Sequence, residues 1–224
     1  MNKTVDESKT VNTGYVIFTP VELVEKFDNV EMRSVKDSYG NMIHTPFYKN
    51  QQVYLKLTGH SGHISEVSAD SGNVYAFTQM YRLGTKSDTE KPSEQLQALL
   101  DFDARFSENV SESCDVPYKP IVAASTFEST TVYGASVKLD KDTGLGRDRF
   151  TIACTVFGKD KNRPYELTNR NIKSRMPKDV KSLVVAELDF YFSERSFKAR
   201  LKARQIQQQD AINVKPKFNV KLAL

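Results

Sequence analysis

"SERSFKARLKARQIQ", residues 193–207, alternates between apolar and basic side chains from its fifth residue onward. The apolar parity consists of Phe197, Ala199, Leu201 and Ala203, and the basic parity of Lys198, Arg200, Lys202 and Arg204. A helix would mix the two classes on one face. A strand separates them, because its side chains alternate between faces with a period of two. The stretch is therefore predicted to be a β-strand with one apolar and one basic face.

The preceding stretch, residues 183–192, alternates in the same way. Its apolar parity consists of Val184, Ala186, Leu188, Phe190 and Phe192, and its other parity of Val185, Glu187, Asp189 and Tyr191. Two such strands joined by the four residues 193–196 form a β-hairpin. The hairpin is predicted to pack its apolar face on the core. Its other face would carry two carboxylates and a tyrosine beside the four cations.

Most of the remaining chain also has strand patterns. Strands are predicted within 13–20, 30–48, 52–59, 73–84, 119–127, 131–139 and 149–158. One helix is predicted at about 93–112, where Leu96, Leu99, Phe102, Phe106 and Val110 form an apolar stripe. The acidic residues Asp101, Asp103 and Glu108 lie largely off this stripe and are expected in solvent. The fold class is thus mainly β with one principal α-helix.

The domain boundaries follow from composition. Residues 1–12 are a polar lead-in, residues 13–207 form a single β-rich domain, and residues 208–224 form a tail. Within the domain, residues 159–181 form a basic connection with little periodicity. A segment of that length without regular structure is typical of a binding loop or of disorder.

Charge divides the chain into two unlike parts. Residues 1–137 contain 12 Lys and Arg against 18 Asp and Glu, a net charge of −6, whereas residues 138–224 contain 20 against 10, a net +10. A basic half on an otherwise balanced protein points to a polyanionic partner. The two cysteines without metal spacing, and the lack of an apolar signal segment or membrane span, lead us to expect an intracellular protein that is neither secreted nor in a membrane.

No pattern of catalysis or cofactor binding is apparent. His60 and His63 form an H-x-x-H pair, but a zinc site needs further ligands that the sequence does not offer. The motif "DKDTG" at 140–144 starts like a calcium loop and lacks the carboxylate at its twelfth position. We therefore expect no catalytic residues, no metal, no cofactor and no enzymatic activity.

The basic strand suits an extended nucleic acid strand. Alternate residues on a strand lie about 6.6 Å apart, close to the ~6–7 Å between successive phosphates of an extended single strand, whose charge density drives binding. Alternatively, Glu187 and Asp189 pair across the hairpin with two of the cations and leave only a solvated face. Single-strand binding also uses aromatic side chains on which bases stack. The candidate contact residues are Lys198, Arg200, Lys202, Arg204, Lys159, Lys161, Arg163, Arg170, Lys56, Tyr54, Tyr133 and Tyr191.

The C-terminal half is similar to the single-stranded DNA-binding proteins of large DNA viruses and phages. The likeness lies in "PYKPIVAASTFESTTVYGASVKLD" (117–140), "RFTIACTVFG" (149–158) and "LDFYFSERSFKARLKARQI" (188–206). The resemblance implies a decorated OB-fold barrel. It also implies a protein that coats or protects single-stranded DNA, in preference to RNA, during replication or recombination, with little sequence preference. The chain has no tryptophan, so stacking would fall to tyrosine and phenylalanine.

A second hypothesis is a viral coat or nucleocapsid protein with a β-sandwich body, since many short strands and basic segments fit that class too. The sequence leaves self-association open.

Overall fold

The structure, a computed structural model, describes residues 14–69, 72–86, 91–111, 116–128, 130–142, 150–158, 163–194 and 196–209. The predicted lead-in, the tail from residue 210, and Lys159 and Lys161 lie outside these ranges. The strands are β1 (Tyr15–Phe18), β2 (Glu31–Lys36), β3 (Met42–Tyr48), β4 (Gln51–Ser68), β5 (Val74–Lys86), β6 (Tyr118–Lys119), β7 (Val122–Phe127), β8 (Thr130–Asp140), β9 (Thr155–Phe157), β10 (Pro164–Tyr165), β11 (Lys181–Ser193) and β12 (Ser196–Gln208). The helices are α1 (Pro20–Glu25), α2 (Glu94–Ser111) and α3 (Ile172–Arg175), with a 3-10 turn at Phe27–Asn29. The mainly β class with one principal helix is confirmed.

Five strands close into a ring. β4 pairs antiparallel with β5, β5 with β8, β12 with β11, and β11 with β4. The ring closes because β8 runs parallel to β12, with Val137 opposite Leu201 and Lys138 opposite Lys202. A five-stranded Greek-key barrel of this kind is an OB-fold. The closed ring differs from the two separate sheets of the β-sandwich that the coat-protein hypothesis required.

The barrel interior is formed by one parity of each ring strand. On β4, for example, Val53, Leu55 and Leu57 are buried, while the intervening Lys56 is exposed. Full burial of such a side chain contributes about 1.5–3 kcal/mol. A slip of one residue would turn the whole apolar set outward, so this alternation fixes the strand register.

Helix α2 packs its apolar stripe against the hairpin end of the barrel. Phe106 stacks on Phe190 with ring centroids 4.1 Å apart, and Phe102 lies 6.2 Å from the same ring. The predicted stripe is confirmed for Leu96, Leu99, Phe102 and Phe106, all of which are buried. The prediction that Asp103 lies in solvent is wrong. Its side chain is buried and accepts hydrogen bonds from the backbone N–H groups of Ile121 and Val122.

The hairpin forms as predicted but with a shorter connection. Ser193 pairs with Ser196, so the strands extend into two of the four residues that were predicted to form the connection. Further along, Ala203 lies opposite Ala186 and Gln205 opposite Val185. Arg204 is therefore the extra residue of a β-bulge, which lets the apolar parity continue at Ile206.

Residues 163–180 contain regular structure, unlike the irregular basic loop that was predicted for this part of the chain. This part of the chain contains β10 and α3 and buries Leu167, Ile172, Met176 and Val180. Elements of two and four residues are too short to produce a periodic pattern, which is why the sequence analysis did not find them.

Candidate nucleic-acid interface

The outer face of the β11–β12 hairpin carries the predicted row of cations. The cross-strand pairs are Tyr191 with Lys198, Asp189 with Arg200, and Glu187 with Lys202. Residues 198, 200, 202 and 204 therefore lie along one face of a strand, while Leu201 and Ala203 point into the core. The strand geometry that the sequence predicted for this stretch is confirmed.

Carboxylates of the same face hold three of the four cations. Arg200 Nε donates to Asp189 Oδ1 at 2.6 Å, and Lys202 Nζ lies 2.8 Å from Asp189 Oδ2. Arg204 pairs with Glu187. The alternative that Glu187 and Asp189 pair across the hairpin is thus present in the structure, and it engages more cations than expected. Two negative charges against four positive ones still leave this face with a net charge of +2.

Asp189 is the centre of this network. Its side chain is only 1% exposed and lies between the Arg200 and Lys202 head groups. A buried carboxylate is costly unless it is paired, so this residue requires both cations nearby. The Arg200 Nη2 atom, in contrast, is buried without a hydrogen-bond acceptor among the described residues.

Neighbouring strands bring further cations to the same place. Lys138 of β8 lies directly opposite Lys202, and Lys119 of β6 lies opposite Lys198. Burial lowers the pKa of Lys198, and the positive charges of Arg200, Lys119 and Lys138 lower it further. No carboxylate pairs with Lys198 within the described ranges, whereas Lys138 Nζ lies 2.7 Å from Asp140 Oδ1. We name Lys119, Lys138, Lys198, Arg200 and Lys202 the basic face.

Aromatic side chains lie beside these cations. Tyr191 lies under two of them, with the Arg200 guanidinium 4.5 Å and the Lys198 ammonium 5.5 Å from its ring centroid. Tyr75 of β5 is 45% exposed and has Lys138 Nζ 5.7 Å from its centroid. The two tyrosines therefore flank the basic face on either side.

Tyr54 has a different environment. Its ring stacks on that of Tyr15 at 4.7 Å with an interplanar angle of 11°, and the residue lies across the ladder from Glu187. Burial raises the pKa of Tyr54, and the negative charge of Glu187 raises it further. Tyr15 already occupies one face of the Tyr54 ring, so only the other face could receive a base.

Other predicted contact residues are dispersed. Tyr133 is half-buried against the core, and Lys56 lies outside the hairpin beside α1 and α2. Arg163 and Arg170 lie with β10 and α3, next to the far end of β12 from the hairpin turn. Tyr81, which the sequence placed next to a cation, is 1% exposed and cannot stack on a base.

Sequence reasoning missed Lys119, Lys138 and Tyr75. Lys138 lies on the outward parity of a predicted strand, which was a usable signal. Its position opposite Lys202 depends on the parallel β8–β12 seam, which links residues about 60 positions apart in the chain. Tyr75 reaches the outer surface beside a register shift in β4–β5, and no local pattern indicates that irregularity.

No protein-family model matches the chain, and no curated protein sequence matches it. Two solved structures to which it is similar are the single-stranded DNA-binding protein from bacteriophage Enc34 and gp2.5, a single-stranded DNA-binding protein encoded by bacteriophage T7. The first has a TM-score of 0.41 at 7% sequence identity and covers 80% of this chain and 89% of that chain. The second has a TM-score of 0.40 at 10% identity and covers 74% and 96%. Both belong to the group of phage single-stranded DNA-binding proteins that the sequence resembles.

Two further features concern other kinds of site. Within the described part of the chain, no helix is long and apolar enough to cross a membrane. Among the same residues, no three His, Cys, Asp or Glu side chains are grouped so that they could hold a metal ion.

Proposed function

We propose that this protein binds single-stranded DNA on the basic face. The observation that carries the proposal is the meeting of three strands, β6, β8 and β12, whose outward cations outnumber the carboxylates beside them. Such crowding of like charge costs free energy in the isolated protein, and a polyanion relieves that cost. The proposal includes a role in coating or protecting single strands during replication or recombination.

Phosphates and bases would use different parts of this surface. Lys198 and Lys119 are the first phosphate contacts, because neither pairs with a carboxylate within the described ranges. Arg200 contributes its positive charge to the basic face while its Nε stays on Asp189. Tyr191 and Tyr75 offer rings to bases, and each stacked base contributes roughly 1–3 kcal/mol.

Little sequence preference is expected from this arrangement. Lysine ammonium groups bind phosphate as point charges, and an aromatic ring stacks on every base. DNA is preferred over RNA in the proposal, and no feature of the basic face addresses the 2′-hydroxyl group of RNA.

The test is fluorescence anisotropy with labelled single-stranded DNA, duplex DNA and single-stranded RNA at several salt concentrations. The triple variant Lys119→Gln, Lys138→Gln, Lys198→Gln removes three cations without stripping Asp189 of its partners. A single strand contributes a slope of about −0.7 in log K against log salt for each phosphate neutralised. The variant should therefore bind more weakly, and its slope should be flatter by up to about 2.

A matched control removes the same charge elsewhere. Lys91→Gln, Lys173→Gln, Lys178→Gln changes three exposed lysines, one just before α2 and two in the 163–180 segment. This control should keep most of the affinity and the slope. Equal losses in both triple variants would mean that net charge alone drives binding, and the basic face would then not be the site.

A further inference from the structure

A second aromatic feature lies beyond the hairpin turn. The connection between β2 and β3 and the connection between β11 and β12 face each other across an open cleft of about 520 Å³. The cleft is lined by Tyr39, Gly40, Asn41, Met42, Phe192, Ser193 and Glu194. Tyr39 is 88% exposed, a higher fraction than any other large apolar side chain among the described residues.

The backbone that carries Tyr39 is held in one conformation. Asp37 Oδ1 accepts hydrogen bonds from the N–H groups of Tyr39 and Asn41, both at 2.9 Å. Gly40 follows with φ of +85°, a value that suits glycine and ends the turn. An exposed ring on a fixed turn loses little conformational entropy when a ligand packs on it.

The cleft lies beside the hairpin that carries part of the basic face. β3 runs beside β11, so that Phe192 lies opposite Met42 and Tyr191 lies opposite Ile43. The charge of Arg200 also reaches this turn. Burial raises the pKa of Asp37, but donors from Asn41 and Tyr39, and then the Arg200 charge, lower it below its usual value. A strand lying on Lys198 and Arg200 therefore passes the mouth of the cleft.

The walls of the cleft favour a base over a phosphate. Glu194 lines one side, and its negative charge disfavours an anion inside the cleft. Tyr39, Met42 and Phe192 supply flat or apolar surface on the other sides. Resting on the proposed function, we propose that this cleft takes one nucleobase of the bound single strand, stacked on Tyr39, while its phosphates stay outside on Lys198 and Arg200.

The test compares Tyr39→Ala with wild type in the same anisotropy titrations. Loss of one stacked base should weaken single-stranded DNA binding about 5- to 150-fold. The slope of log K against log salt should stay at the wild-type value, because stacking neutralises no phosphate. Tyr39→Phe keeps the ring and should bind like wild type. Val35→Ala removes another exposed apolar side chain, on neighbouring β2, and should also leave binding unchanged.

A second measurement is photocrosslinking of wild-type protein to single-stranded DNA containing iododeoxyuridine, followed by mass spectrometry. Crosslinks should map to the two walls of the cleft, residues 37–42 and 192–194. Affinity of Tyr39→Ala within twofold of wild type, or crosslinks only outside 37–42 and 192–194, would overturn the cleft proposal and leave the basic face standing. If wild type does not bind single-stranded DNA at all, the proposed function fails and this inference fails with it.

Discussion

Asp189 is the residue that limits the positive charge of the hairpin. It lies under two cations that would otherwise be free for phosphate. Asp189→Asn removes its charge and raises the net charge of this face by one. The protein should bind single-stranded DNA more tightly, with a steeper salt dependence, because Arg200 and Lys202 become available. Stability should fall by about 1–3 kcal/mol, since a charge-assisted hydrogen bond is lost.

Urea unfolding and anisotropy measure the two effects separately. Asp179→Asn is the matched control, because that side chain is 81% exposed and lies 3.9 Å from Arg82. It should change neither stability nor binding by much. Unchanged or weaker binding by Asp189→Asn would mean that Arg200 and Lys202 contact no phosphate.

Asp103 makes stability depend on pH in a defined direction. Burial raises the pKa of this carboxyl, against the lowering effect of the Ile121, Val122 and Tyr118 hydrogen bonds. A raised pKa in the folded state means that the protonated form is the favoured one. The contribution of protonated Asp103 to the free energy of unfolding is fully present below the unfolded-state pKa of about 3.9. It is lost as pH rises through the pKa of the folded state.

Comparison with Asp103→Asn isolates this contribution from that of the other carboxylates. The free energy of unfolding of wild type should fall relative to that of Asp103→Asn as pH rises from about 3.5 to 6.5. Urea midpoints measured across that range give the result. A difference that moves in favour of wild type over the same range would contradict a raised pKa.

Helix α2 supports the barrel through one glutamine as well as through its apolar stripe. The Gln95 side chain accepts a hydrogen bond from Thr58 N and donates one to Thr58 O, both at 2.8 Å. Thr58 lies on β4 between the stretch that pairs with β1 and the stretch that pairs with β5. Gln95 thus takes the place of a neighbouring strand where the ladder has a gap.

Gln95→Leu should leave two backbone groups unpaired and lower the free energy of unfolding by about 2–4 kcal/mol. Gln97→Leu is the control on the same helix, since within the described ranges that side chain hydrogen-bonds the exposed Asp101 carboxylate and no backbone group of the barrel. Urea unfolding of both variants checks the result. Equal effects of the two substitutions would indicate a change in helix propensity and no role for the Thr58 contact.

At the scale of elements, alternation of apolar residues with a period of two was sufficient to predict the hairpin strands. A period of 3.6 was sufficient to predict α2. Both segments have one apolar side over ten or more residues, so local sequence determines their type. The same signal failed for residues 163–180, whose elements are too short to repeat. It also failed for the bulge at Arg204. There two residues of β12 lie opposite one position of β11, so the buried parity shifts by one although the amino-acid composition stays the same.

For the whole molecule, the resemblance indicated an OB-fold, and the ring of β4, β5, β8, β12 and β11 has that topology. Half of the candidate site was predictable, because Lys198, Arg200, Lys202 and Tyr191 belong to one hairpin. The remainder depends on contacts between distant segments. Lys138 joins the face through the parallel seam, and Asp189 competes for the cations in a way that only side-chain positions reveal.

The parallel pairing of β8 with β12 also determines when the basic face can form. β12 follows every other described strand in the chain, yet it supplies both the closure of the ring and three of the five basic-face cations. During synthesis, all partners of the seam leave the ribosome before the strand that unites them. A nascent chain therefore has neither a finished barrel nor a complete basic face until its final ring strand emerges.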